Sequence, residues 1–270
     1  MARSTSGQSV LERVVLILGA FEQGDPALSV SEIARRADLP TATAHRLVME
    51  LVGAGMLERG ADRRIRVGLR LWEIASRAPR ALGVREAALP HMENLQAATR
   101  QHTQLGVLDG IEVLFLERLS APHSVVNVTR IGGRIPLHAS SAGLVLLAHA
   151  DSGLQERILA GPLRRFTDRT PTDPRRLRTE LAEIRRTRHV VCPGFIHPDA
   201  MGIAVPVFGA EDAVVAALSL IVPNTTTDPR LYVSGLQTAA HGIGRSVSRH
   251  TDGTDPGRGT RSAITADGGS

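Results

Sequence analysis

His45 and Arg46 sit in the stretch Leu39-Pro40-Thr41-Ala42-Thr43-Ala44-His45-Arg46-Leu47, on the polar side of a predicted helix whose other side is apolar. An arginine placed there can give two hydrogen bonds to a guanine edge, and an imidazole can donate or accept at a base. Thr41 and Thr43, at the start of the same helix, carry hydroxyls able to bond phosphate with help from the helix N-terminus, although ordinary capping would use the same groups. Arg59, Arg63, Arg64 and Arg66 follow shortly after and can neutralise phosphates. The alternative for each is a solvated face. Nucleic-acid recognition is the chemistry that these types and spacings offer together.

A second group lies in His138-Ala139-Ser140-Ser141-Ala142-Gly143, where a loop enters a helix and free amides can hold an anion or a carbonyl oxygen. Reaction chemistry lacks its usual context. The chain has no Gly-x-Ser-x-Gly elbow, no phosphate loop and no dinucleotide fingerprint, so no enzyme activity and no cofactor are expected. Cys192, His197 and Asp199 are metal-ligand types, but their spacing matches no closed zinc motif, so no metal is expected.

The elements needed to position these groups are legible as periodicity. Val10, Val14, Ile17, Leu18 and Phe21 make one apolar stripe over a first helix, about Ser9 to Glu22, broken at Gly24-Asp25-Pro26. Ser29-Val30-Ser31-Glu32 is a capping box that opens a short second helix. Pro40 forces a tight turn before the third, in which Ala44, Leu47, Val48 and Leu51 share a face. Met56–Arg59 and Arg64–Val67 then read as a wing, with Leu57, Ile65 and Val67 turned toward the helices and the arginines outward. Further on, the pattern predicts a helical linker (69–101) interrupted near Pro79 and Gly83, then strands over Thr103–Leu108, Glu112–Leu119 and Val125–Arg130. Helices at 141–150, 152–159 and 174–188, a hairpin of Met201–Phe208 with Val214–Val222, and a closing helix (231–248) complete the expectation.

Totals restrict the class. At 42% hydrophobic residues the 270-residue chain can build two cores, and its apolar runs are too short to span a membrane. A single cysteine and the lack of a secretory leader pattern lead us to expect a cytoplasmic protein. The formal charge is +5, and every basic side chain is arginine, which biased codon use explains more simply than DNA binding does. Arginine position, not number, carries the argument.

The strings Ser31-Glu32-Ile33-Ala34-Arg35-Arg36-Ala37 and Leu39 to Leu47 closely resemble the DNA-binding domain of the IclR family of bacterial transcriptional regulators. Val107-Leu108-Asp109-Gly110, Leu116 to Leu119, Gly132 to Ala139 and Ala216 to Ser219 are similar to that family's effector domain, in its order. The resemblance implies an α+β protein: a winged helix-turn-helix (1–68), a linker helix (69–101) and a GAF-like effector domain with an antiparallel sheet (102–249); the polar composition beyond it predicts a disordered tail (250–270). It further implies a double-stranded, near-palindromic operator, a homodimer or homotetramer, no membrane partner, and a small organic acid effector held by Ile135, His138, Ser140, Ser141, Ala142, Ser219 and Ile221. Departures from the family pattern at Leu144, Ile221 and Cys192 to His197 suggest an effector more apolar than a two-carbon acid. They also leave open a regulator whose second domain serves only assembly.

Overall fold

The computed structural model describes residues 8–21, 25–77, 79–122, 124–226 and 228–252. The expected breaker at Gly24, the last residue of the expected first helix (Glu22) and the tail from 253 onward lie outside the described residues. The chain forms two compact units that divide after Pro79, so the helical stretch 69–101 is shared between them.

In the first unit, α1 (Val10–Gly19) and α2 (Val30–Arg36) each open with a serine–glutamate capping box, Ser9 with Glu12 and Ser29 with Glu32. The Ser29 backbone and hydroxyl hold the Glu32 carboxyl below its ordinary range. Asp38, at φ +50, turns the chain into α3 (Thr41–Gly53). Ile17, Leu28, Ile33, Leu47, Leu57 and Ile65 close one core beneath the three helices and the hairpin β1 (Leu57–Arg59) and β2 (Ile65–Val67). Leu28 bridges to Ile65 as a third short rung. Val67 does not face the helices as expected. It is 50% exposed, because β2 ends there and Gly68 turns directly into α4 (Leu69–Ala75).

The second unit begins within α5 (Pro79–Thr99), which runs unbroken through Gly83; the interruption expected there falls earlier, after α4. Its strands are β3 (His102–Asp109), β4 (Glu112–Leu119), β5 (Arg134–Pro136), β6 (Val190–Pro193), β7 (Ala200–Phe208) and β8 (Val214–Pro223). They form one antiparallel sheet in the order β5-β4-β3-β8-β7-β6. Gly110, at φ +62, opens the two-residue turn between Asp109 and Glu112.

Alternation along the strands sends successive side chains to two different cores. Leu105, Ile203, Val205, Leu218 and Leu220 pack under α5 and α9 (Val233–Asp252), meeting Ala88, Met92, Leu95, Leu236 and Ile243. Phe115, Ala204 and Ala217 face α6 (Ser141–His149), α7 (Ser152–Ala160) and α8 (Pro174–Thr187), meeting Leu144, Leu154, Leu177 and Leu181. The result is α+β, a sheet with helices on both faces.

One expected strand is absent and one unexpected strand is present, for different reasons. Val125–Arg130 is not a strand but a strap with no backbone ladder, because the outer edge of β4 is taken by β5 and the strap's polar groups bond side chains instead. The edge strand β6 went unassigned because Cys192-Pro193-Gly194 looks like a turn, and an edge is where a strand tolerates proline.

Candidate nucleic-acid interface and ligand cavity

Burial of Ala44, Leu47, Val48 and Leu51 fixes the roll of α3 and leaves Thr41, Ala42, His45 and Arg46 exposed, with Thr43 half-buried. The residue before the helix is Pro40, and no side chain caps the first turn. Capping therefore does not account for Thr41 or Thr43. Arg46 Nη1 lies 2.6 Å from Glu50 Oε1, with both side chains 57% exposed. An exposed pair of this spacing contributes only about 0.3–0.5 kcal/mol, so Arg46 can leave it at little cost. His45 has no hydrogen-bond or ion-pair partner among the described residues.

The four wing arginines divide into pairs. Arg66 lies across Gly60 with both Nη atoms on Asp62, at 3.1 and 2.7 Å, and with the Arg64 amide it holds that carboxyl below its ordinary range. Arg64 Nη1 donates to the Ala27 carbonyl at 2.9 Å, fastening the wing to the chain entering α2. Arg59 and Arg63 have no side-chain partner among the described residues, and Arg63, at φ +62, stands at the wing tip.

In the second unit a cavity opens between the sheet, the start of α6 and the 126–129 strap. Its apolar wall is Phe115, Ile135, Ala139, Phe195, Ile196 and Ile221. Gly202 forms part of the floor; a Cβ there would come within 2.6 Å of Ser141 Oγ, so the room beneath that hydroxyl exists because the residue is glycine. Ser140 Oγ caps α6 by accepting from the Gly143 amide at 3.1 Å, while the Leu144 amide donates to the Ser140 carbonyl. The amides of Ser141 and Ala142 in the first turn have no intrahelical acceptor, and both residues line the cavity. Cys192 also lines the wall, and burial pushes its thiol well above the usual range.

Beneath the strap runs a buried polar network. Gln104 Nε2 donates to Asn127 Oδ1 at 2.8 Å and to Thr129 Oγ1 at 2.5 Å, while Gln104 Oε1 accepts from Ser219 Oγ at 3.4 Å. Asn127 Oδ1 also accepts from the Thr129 amide and hydroxyl, at 3.1 and 2.7 Å. The Thr129 carbonyl accepts from Arg118 Nη1. The Arg118 amide in turn donates to Glu117 Oε1 at 2.8 Å, and Glu117 Oε2 meets Arg85 of α5 at 2.6 Å. The cavity strap is thus joined through side chains to the first helix of its unit. His102 anchors the strap's other end: its Nδ1 accepts from the Ala121 amide, so its Nε2 carries the proton and donates to the Val125 carbonyl at 2.8 Å.

The structure brings Ile135, Ser140, Ser141, Ala142 and Ile221 together around the cavity and leaves two of the expected residues off its wall. His138 is buried behind the loop, its Nε2 2.9 Å from the Arg164 carbonyl, and burial lowers its pKa below the usual 6.5. Ser219 is fully buried under Gln104. Sequence reading missed Gln104, Phe115, Asn127, Thr129 and Phe195 as wall residues. No sequence signal pointed to the strap, where Val126 and Val128 are 55% and 54% exposed while Thr129 is buried, the reverse of what their polarity suggests. Among the described residues no three His, Cys, Asp or Glu side chains gather as a metal site, and no helix is long and apolar enough to cross a membrane.

A winged helix-turn-helix unit followed by a unit with an open-mouthed cavity is the arrangement of a DNA-binding transcription regulator. The chain belongs to the IclR family: residues 10–61 match the IclR helix-turn-helix domain, and residues 77–249 match the bacterial transcriptional regulator IclR C-terminal domain. It is 31% identical over 233 residues to the HTH-type transcriptional regulator BhcR of Paracoccus denitrificans, covering 85% of this chain and 83% of that one. XynR of Escherichia coli is 29% identical over 223 residues, 82% of this chain and 88% of that one. Among solved structures, an IclR homologue from Microbacterium hydrocarbonoxydans, crystallised in complex with 4-hydroxybenzoate, is 48% identical with a TM-score of 0.83, covering 89% of this chain and 100% of that one.

Proposed function

We propose that this regulator binds a near-palindromic duplex operator as a homodimer or higher assembly, and that a small aromatic acid in the second unit's cavity sets its operator affinity. The observation that carries the reading is the cavity itself: an apolar, ring-sized space whose polar groups at the α6 N-terminus are donors suited to a carboxylate. The similar Microbacterium protein crystallised with 4-hydroxybenzoate supports an aromatic acid over a two-carbon one. Ser140, Ser141 and Ala142 hold the carboxylate, Ile135 and Ile221 flank the ring, and His138 and Ser219 act from behind by fixing the loop and Gln104.

On DNA, Arg46 and His45 read base edges, and Thr41 and Thr43 bond phosphate at the helix start. Arg59 and Arg63 neutralise phosphates directly, while Arg64 and Arg66 hold the wing and add charge beside them. Self-association is supported within the first unit by apolar side chains left in solvent: Leu11, Val15 and Leu16 on α1, and Leu69 and Trp72 on α4, the last two 77% and 70% exposed. An acid that fits one arrangement of the assembly better than another shifts the population and thereby the operator affinity. The chain from Thr129 through Arg118, Glu117 and Arg85 is the route by which an ordered strap would bias α5.

The test is fluorescence anisotropy of a labelled operator, titrated with protein at fixed salt, with and without saturating 4-hydroxybenzoate or glyoxylate. The expected result is a change of about tenfold in affinity with the aromatic acid and none with glyoxylate. Calorimetric binding of the acid without any change in operator affinity would refute the coupling.

A further inference from the structure

Asn127 presents an amide whose two ends are treated differently by the fold. Its Oδ1 accepts three hydrogen bonds, one from the Thr129 backbone amide, which can only donate. The orientation of the side-chain amide is therefore fixed, since a flipped amide would set donor against donor. Its Nδ2 is buried and has no acceptor. Buried N–H groups in folded proteins are almost always paired, so an exception calls for an explanation, and at a cavity wall a ligand can supply the missing acceptor. Asn127 lines the cavity.

Its place along the cavity follows from strand register. Asn127 is bonded to Gln104, whereas the α6 first turn rides over Gly106, where a Cβ would stand 3.7 Å from Ala142 Cβ. Gln104 and Gly106 lie on the same face of β3, two residues and so roughly 7 Å apart. Asn127 therefore stands further along the cavity from the α6 first turn, by a step on the scale of a benzene ring with its para substituent. Phe115 and Ile135 supply apolar wall for the ring.

We infer that Asn127 is a specificity residue: it reads the para substituent of the aromatic acid and selects one that accepts a hydrogen bond. The inference rests on the reading that the cavity holds such an acid, and it adds which acids are preferred and by which atom.

Titration calorimetry of the full chain with two acids of matched size tests it. The ether oxygen of 4-methoxybenzoate only accepts, and the N–H of 4-(methylamino)benzoate donates. The wild type is expected to bind the methoxy acid about tenfold more tightly, the typical cost of denying a buried donor its acceptor. Asn127→Asp keeps the shape and the Oδ1 acceptor but removes the donor, and is expected to reverse the order. Asn127→Ala is expected to bring the two acids to equal affinity. Thermal unfolding without acid checks that each variant folds; if the alanine variant does not, the aspartate variant decides alone. No preference in the wild type, or the same preference in the variants, overturns the inference and leaves the cavity reading intact. Absence of binding by both acids and by 4-hydroxybenzoate in the wild type overturns both.

Discussion

Arg46 and Asn127 are both hydrogen-bond donors, one on an exposed helix face and one at a cavity wall, yet the fold treats them in opposite ways. Arg46 is washed by solvent and pairs with Glu50 on its own helix. Asn127 is clamped through its oxygen, with its nitrogen sealed from water and from any acceptor. The first arrangement costs almost nothing while idle and gains only when DNA displaces Glu50 and water. The second stores its cost in the folded protein and, on our proposal, is already oriented for a ligand. Under the proposed function, the contrast suits one chain to two kinds of partner: a long polyanion met at the surface, and a small acid distinguished within a cavity.

The contrast can be broken most violently from inside the first unit. Leu47 is 1% exposed beneath the polar face of α3, so Leu47→Ala should cost that unit about 3 kcal/mol. Duplex binding should be lost by anisotropy while the calorimetric signal for 4-hydroxybenzoate remains. Loss of both together would show that the two regions do not act as separate structural units.

Arg46→Ala should lower discrimination between operator and random duplex by about tenfold, the scale of one bidentate base contact, with the fold unchanged by circular dichroism. Equal weakening on both duplexes would make Arg46 a phosphate contact. Arg63→Ala should instead weaken every duplex by a few-fold and reduce the slope of log affinity against log salt by about one. Arg64→Ala should match it on DNA and also lower the unfolding midpoint, since only Arg64 holds the Ala27 carbonyl.

The smallest expected effect is on pH. His138 titrates below 6.5 because burial disfavours its charged form. Its contribution to stability is therefore complete above 6.5 and lost as pH falls through the window beneath it, where the unfolded chain takes the proton first. Between pH 7.5 and 5.5 the unfolding midpoint of the wild type should drop by about 2–4 °C more than that of His138→Gln, which can keep a donor toward Arg164. Parallel curves would remove His138 from the balance.

What sequence made legible follows the same division. The first unit was readable nearly to the residue, because capping boxes, Pro40 and an amphipathic α3 are local signals, and an exposed functional face is what remains once the buried stripe is assigned. The family strings located the loop at Ser140–Ala142 that opens α6. They could not show that His138 and Ser219 stand behind the wall, because that depends on how far each side chain is covered by the 161–173 segment and by Gln104. Asn127 was hidden inside what read as a strand. Its free nitrogen is a consequence of tertiary bonds to Gln104 and Thr129, and periodicity carries no record of those.

The most direct test of the account is enrichment of duplexes from a random pool by the full chain, run side by side with Arg46→Ala at one salt concentration. The wild type should recover one motif with two related half-sites about one helical turn apart, and the variant should lose information at a matching position in each half. A wild-type pool as featureless as its input, or a motif that Arg46→Ala leaves intact, would contradict the claim that the exposed face of α3 reads DNA.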